Sequence, residues 1–365
     1  MRIFLLGATP RFDLAKFPKC KDKLSATGHN SGNQVIAHGL LNGLDYETVE
    51  WDYTLGTDYA RNNFDRVIVA AANFIHPSFD LAGMAAFIES VNLPCSVLGL
   101  GAQSKNFDLN MDLKPGTKRF LSVIKERCIS IGVRGEFTAE LLNSFGISNV
   151  EVIGCPSYYM AEKPEVQISK KNLTDPIRVA INLSRDVISH SFAPQAMMKA
   201  ISQILRDAMA LSADYILQTE QEEMLIAEGE ATDETYEKAV SHYHYAGLGA
   251  DLKGWMRKSV KIFWEPDRWI EAMSNYDFVI GQRFHGNICA LRAGVPAFFV
   301  CHDSRTQELC QFLGLPHCDL RTQDLNRIEN IYDLLDFSMY ESRYRELYPR
   351  YKLLLEKNQL KNKFL

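Results

Sequence analysis

Short, continuously apolar runs alternate along this chain with stretches whose apolar residues recur every three or four positions. In the first half, the runs at 2–7 (RIFLLG), 66–74 (RVIVAAANF), 94–102 (PCSVLGLGA), 129–133 and 150–154 predict strands, and 34–44, 80–91, 114–128 and 136–145 predict helices. Asp80 is placed to cap the helix at 80–91, and Gly146 to end the one at 136–145. Strands apolar on both faces and separated by helices belong to a parallel sheet covered on both sides. The pattern lapses after residue 154, where three prolines and mixed charge precede residue 177, and restarts at 177–183 (IRVAINL). Strands follow at 215–218, 260–264, 277–281 and 296–301, with helices at 196–211, from Pro266, at 285–293 and at 305–313.

At 365 residues the chain exceeds the roughly 250–300 that one core sustains. The fold class is therefore α/β with two domains, at 1–155 and 177–339, joined by a linker at 156–176 and followed by a C-terminal helix at 340–365. Two open parallel sheets facing each other imply a cleft, and ligands of such sheets bind beyond the carboxyl ends of the strands.

Composition removes several function classes. With 46% hydrophobic and 23% charged residues the chain is an ordinary globular protein. A net charge of -5 argues against a nucleic-acid partner and gives no global attraction to an acidic membrane. The eight cysteines form no Cys-x-x-Cys pair and mostly lie in apolar runs, which reads as reduced, buried thiols in a cytoplasmic protein. The N-terminal apolar run is too short for a signal segment or a membrane span. In the tail, Tyr340, Tyr344, Tyr348 and Tyr351 recur at helical spacing beside a basic face. This is either a helix docked on the body or a peripheral contact with the inner face of the membrane.

The chemistry concentrates at Gly281-Gln282-Arg283-Phe284-His285-Gly286, where a buried strand turns into a helix. The helix N-terminus offers free N–H groups and partial positive charge. Arg283 offers a planar fork for carboxylate or phosphate, His285 a proton near neutral pH, and Gly286 close approach to the backbone. The plain alternative is an ordinary joint with a surface arginine and a capping histidine. A second glycine turn, Gly28 to Asn33, also leads into a helix and puts Asn30 and Gly32 near an anion or sugar hydroxyl, or else simply caps that helix. Asn182 and Arg185 leave the first strand of the second domain on the same carboxyl edge as Arg283. No metal-ligand spacing is present, and His242 and His244 would diverge on a helix.

The run Ile280 to Gly286, followed by Ala290, Gly294-Val295-Pro296 and Asp303, resembles the polysaccharide pyruvyl transferase family. The turn at Gly28 to Asn33 matches the family's Asn-x-Gly-Asp element, Val133-Arg134-Gly135 its Val-Arg-Asp segment, and Trp264 to Ala272 the segment before the final motif. The resemblance implies two facing Rossmann-like domains with a GT-B-like interdomain cleft. It also implies transfer of pyruvate from phosphoenolpyruvate onto two hydroxyls of one sugar, in a cell-surface polysaccharide or its precursor. Phosphoenolpyruvate is then the donor substrate, and no cofactor or metal is expected. The acceptor is a saccharide, free or lipid-linked. Carried onto this sequence, the catalytic pair is Arg283 and His285, the latter as acid or base. Arg185, Gly286, Gln282, Asn30, Gly32, Arg134 and Asn182 are the substrate-binding set. The sequence departs from the family at Asn33 and Gly135, where aspartate is usual, at Cys155-Pro156-Ser157, where Asp-Pro-Ala is usual, and at His302 and Arg305, where Tyr and Lys are common. A nucleotide-sugar glycosyltransferase and a non-catalytic carbohydrate-binding protein are the competing readings.

Overall fold

The computed structural model describes residues 1–104, 107–171, 177–185, 188 and 191–365; the end of the expected linker, 172–176, lies outside them. Among the described residues there are two six-stranded sheets, and every pairing is parallel. The first contains β1 (Arg2–Gly7), β2 (Thr48–Glu50), β3 (Arg66–Ala70), β4 (Cys95–Leu100), β5 (Ile131–Val133) and β6 (Val150–Val152), in the order β2-β1-β3-β4-β5-β6. The second contains β7 (Val179–Asn182), β8 (Asp214–Ile216), β9 (Val260–Lys261), β10 (Phe278–Gly281), β11 (Ala297–Cys301) and β12 (His317–Asp319), in the order β12-β11-β10-β7-β8-β9. The chain reverses direction across the sheet between β1 and β3 in the first, and between β7 and β10 in the second. Those two crevices are where doubly wound sheets hold ligands.

Alternation along β1 explains why the domains pack so closely. Ile3 and Leu5 face a core that runs on through the second domain, while Phe4 and Leu6 face a second cluster made by the first domain alone. The helix Gly32–Gly43 carries the shared core. It lies against the Pro156–Tyr158 turn and against the helix Phe284–Arg292. At Gly39 an added Cβ would stand 2.5 Å from the Ser157 backbone, so only glycine lets the helix come this near.

The C-terminal helix runs over Ser338–Lys357, and residues 358–365 continue without helix. Tyr340, Tyr344, Tyr348 and Tyr351 are buried around Tyr158 and Tyr159, with Tyr351 stacked on Tyr159 at 4.2 Å. That docking takes up the apolar face which a membrane-surface helix would need. The chain then returns to the first domain. Lys363 N–H donates to the Gly43 carbonyl (2.9 Å), and Arg66 donates to the carbonyls of Asn358 (3.0 Å) and Gln359 (2.6 Å). No described helix is long and apolar enough to cross a membrane.

Sequence and structure part company at the edges. Strands β2 (TVE) and β12 (HCD) were not expected, because short edge strands carry no apolar run. Asp80 sits one residue before the cap: the helix is Ala82–Val91 with Leu81 at the N-cap, and the Asp80 carboxylate accepts from Ala82 N–H at 3.0 Å.

Candidate active site

The turn after β10 is built by asparagines. Gly281 lies opposite Asn182, and a Cβ at 281 would fall 2.0 Å from the Asn182 carbonyl oxygen, so the two strand ends meet only because residue 281 is glycine. The Asn182 Oδ1 accepts from Arg283 N–H (3.0 Å), and its Nδ2 donates to Asn287 Oδ1 (2.6 Å); Asn287 Nδ2 donates to the Gly281 carbonyl (3.1 Å). Gln282 Oε1 accepts from Ser184 N–H at 3.0 Å. At Gly286 a Cβ would meet Asn182 Nδ2 at 3.0 Å. Asn182 and Gly286, expected at the substrate, thus build the turn from behind, while Gln282 both ties it to β7 and borders the cleft.

Arg283 is the N-cap of the helix Phe284–Arg292 and borders the cleft, but it is not a free cation. Its guanidinium donates to the Thr219 hydroxyl and to the fully buried carboxylate of Glu220. Burial alone would raise the Glu220 carboxyl. The Arg283 charge, with N–H groups of Thr219 (3.0 Å) and Gln218 (2.9 Å), outweighs burial and holds it below the usual range. Arg283 Nε is buried and bonds to no described residue. Arg185, expected beside Arg283, pairs with Glu222 and Glu223 (3.0 Å) and does not line the cleft. Burial, opposed by Arg185 and reinforced by Glu220, pushes the Glu223 carboxyl up to about 8.

The cleft between the sheets is lined by Arg134, Arg283, Arg305, His285 and His302 among polar and apolar groups, and by no carboxylate of the described residues. Its volume is about 50 Å³, room for a water or two, so a sugar is admitted only when lining side chains or the domains part. Arg134, 3% exposed, follows β5. Among the described residues its hydrogen-bond acceptors are all neutral: the carbonyls of Gly99 (2.8 Å) and Ala71 (3.3 Å) and the Asn73 side chain (2.9 Å). Arg305 Nη2 stands 3.4 Å from Asp303 and 3.5 Å from His302 Nε2. Burial would raise the Asp303 carboxyl, yet Arg305, His302 and the Thr306 hydrogen bonds bring it down to about 2.

His285 begins the same helix as Arg283 and is 7% exposed. Burial first, then the charges of Arg134 and Arg305, push its pKa well below the ordinary value. Burial and the two cations thus favour the neutral imidazole. Its Nε2 lies 3.5 Å from Cys155 Sγ.

The Gly28–Asn33 turn reaches across to the other domain. Asn30 Oδ1 accepts from Gly32 N–H (2.9 Å) and from Gln218 Nε2 (2.9 Å), and Ser31 N–H donates to the Gln218 carbonyl (3.0 Å). A Cβ at Gly32 would lie 2.5 Å from the Gln218 side chain. Asn30 borders the cleft, whereas Gly32 serves this clasp. A second clasp joins Glu308 to the helix Glu136–Ser144. The Glu308 carboxylate accepts from Thr138 N–H (3.0 Å) and hydroxyl (3.4 Å), in space that Gly135 leaves open. Arg305, Glu220, Glu308 and Gln218 were not read from the sequence as site residues. Arg305 had a signal: it follows β11 at the carboxyl edge, as Arg283 follows β10.

Two doubly wound domains meeting across a cationic cleft define a two-domain α/β protein whose chemistry lies between its sheets. The profile of the family described as polysaccharide pyruvyl transferase matches residues 30–304, well over half of the chain. The protein belongs to that family and is a transferase. No curated protein matches significantly. Among solved structures, HepE of Anabaena in complex with UDP and glucose is 12% identical, with 98% of this chain and 97% of that one covered and a TM-score of 0.43. The UDP-GlcNAc 2-epimerase of Neisseria meningitidis bound to UDP-GlcNAc is 10% identical, with 95% and 94% covered and a TM-score of 0.45.

Proposed function

We propose that the protein transfers pyruvate from phosphoenolpyruvate onto two hydroxyls of one sugar, in a cell-surface polysaccharide or its precursor, as a cyclic ketal with release of phosphate. One observation carries the reading: three arginines and two histidines line the cleft, without a carboxylate among the described lining residues, in a chain whose net charge is -5. A donor with both a carboxylate and a phosphate suits such a site. Arg134 and Arg305 face it from the two domains, the helix N-terminus at Phe284 adds N–H groups, and Arg283 Nε remains unpaired. The eight free, buried cysteines fit a reducing, cytoplasmic setting, where the acceptor is a free or lipid-linked saccharide.

In this mechanism the bound dianion offsets Arg134 and Arg305, and His285 takes up a proton. His285 passes that proton to the methylene carbon, which becomes a methyl group. A sugar hydroxyl bonds to the neighbouring carbon and returns its proton to His285. The C–O bond to phosphate then breaks, and the second hydroxyl closes the ketal and loses its proton to solvent. No cofactor or metal enters the route.

The test is a donor screen read by phosphate release, followed by mass analysis of the sugar. Phosphoenolpyruvate-dependent release with ketal formation is expected. Consumption of a nucleotide sugar, with glycosyl mass added to the acceptor, would replace this reading with a glycosyltransferase.

A further inference from the structure

Two buried polar groups that the reaction above does not use, Ser157 and Cys155, form a line with His285. Ser157 Oγ donates to Cys155 Sγ at 3.1 Å, and the same sulfur lies 3.5 Å from His285 Nε2. Cys155 and Ser157 are 0% exposed. They come from the connection after β6, whereas His285 comes from the second domain, so the line crosses the domain boundary at the proposed proton carrier. The other ring nitrogen, Nδ1, makes no hydrogen bond to a described residue.

One arrangement of protons along this line gives the buried thiol proton a partner. The Ser157 proton is committed to the sulfur. The thiol has a single proton and, as a weak donor and weak acceptor, one further partner in reach, His285 Nε2. When the thiol donates, Nε2 carries the lone pair, and the proton of the neutral ring sits on Nδ1. A carboxylate at position 155 would impose the opposite arrangement. It can only accept, so Nε2 would hold the proton and Nδ1 would be bare.

The geometry points to Cys155, held by Ser157, as a positioning residue that fixes the tautomer of His285 with its N–H on Nδ1. The thiol also keeps the ring free to alternate. Once His285 is doubly protonated, Nε2–H donates to the sulfur. After Nδ1 gives up its proton, the bare Nδ1 can take one back from the attacking hydroxyl while the thiol still accepts. A carboxylate would instead hold the proton on Nε2 and raise the pKa of the ring. Arg134 and Arg305, the charged groups felt by His285, are kept in every variant below, and Cys155→Asp alone adds a charge beside the ring.

The tautomer is read on the ligand-free protein and is independent of the donor; only the alternation rests on the function proposed above. Nitrogen-15 histidine spectra, assigned with His285→Asn, are expected to show Nδ1 protonated and Nε2 unprotonated in the wild type. Cys155→Ser, which can also donate and accept, should keep that pattern, and Cys155→Ala should give a mixture. Cys155→Asp should invert it and raise the His285 pKa. In turnover, Cys155→Ala should lower kcat roughly 10-fold, the low end of what loss of an orienting partner costs metal-bound histidines, with KM for the donor little changed. Cys155→Ser should restore kcat and leave the pH profile unshifted. A protonated Nε2 in the wild type, or one pattern shared by the wild type and Cys155→Ala, would overturn the assignment. An unchanged tautomer pattern with no phosphoenolpyruvate turnover would overturn the proposed function alone.

Discussion

Gly135 and Glu308 occupy one space from opposite domains: a Cβ on Gly135 would lie 2.0 Å from Glu308 Cγ. The glycine that stands where the family usually has aspartate therefore admits a carboxylate from the other domain. That carboxylate caps the helix Glu136–Ser144 through Thr138.

This clasp should depend on pH. Burial pushes the Glu308 carboxyl from 4.5 up to about 7, against the opposing pull of the Thr138 bonds and Arg134. A raised folded value means that the folded protein holds the proton more tightly. The stabilisation is complete below about 4.5 and disappears as pH rises through about 7. Glu308→Gln, which can still accept from Thr138, should be more stable than wild type at pH 8 by up to about 3 kcal/mol. At low pH the two should be nearly equal. Urea unfolding at both pH values decides it, and equal differences at the two would refute it.

Ligand binding should take up a proton. Burial, Arg134 and Arg305 depress His285 and favour its neutral form. A bound anion offsets those arginines and favours the imidazolium. Calorimetric titration with phosphoenolpyruvate near pH 6, in buffers of different ionisation enthalpy, should show net uptake that His285→Asn abolishes. Identical heats across buffers would refute the idea.

The arginines should separate into two groups. Arg305→Gln is expected to weaken phosphoenolpyruvate binding by about tenfold, equivalent to about 1.4 kcal/mol. Arg185→Gln should leave affinity within twofold and lower stability, because Arg185 is paired with Glu222 and Glu223 away from the cleft lining. The reverse ranking would return the donor site to Arg185.

Glu220 is expected to matter through Arg283. Glu220→Ala leaves a largely buried guanidinium without its carboxylate, which should cost about 3 kcal/mol or more in denaturant unfolding. A loss below about 1 kcal/mol would show that Arg283 finds another partner.

The parts of this molecule legible in its sequence are those set by local pattern. Buried strands such as β3 and β4 read as apolar runs, and Gly281 to Gly286 reads as a strand-to-helix turn at a carboxyl edge. What stayed hidden depends on distant partners. Arg185 and Arg283 look alike in sequence, and only the positions of Glu220, Glu222 and Glu223 show that both are paired and that one borders the cleft. Those carboxylates lie at the start of the helix Gln221–Ala227, which was not predicted. The depressed His285 reflects cations from both domains, a sum over space that no spacing rule contains.

The return of the tail to the first domain bears on how the chain is made. Arg66 of β3 is 7% exposed, and its guanidinium donates to the backbone carbonyls of Asn358 and Gln359, about 290 positions downstream. Synthesis runs from the N-terminus, and domains generally fold as they emerge. Here the first sheet can collapse early, yet the cation that opens β3 waits for carbonyls made about 290 residues later. The first domain is therefore completed only after the second has been made, and a chaperone that shields it until then would be guarding an unfinished cation as much as an apolar surface.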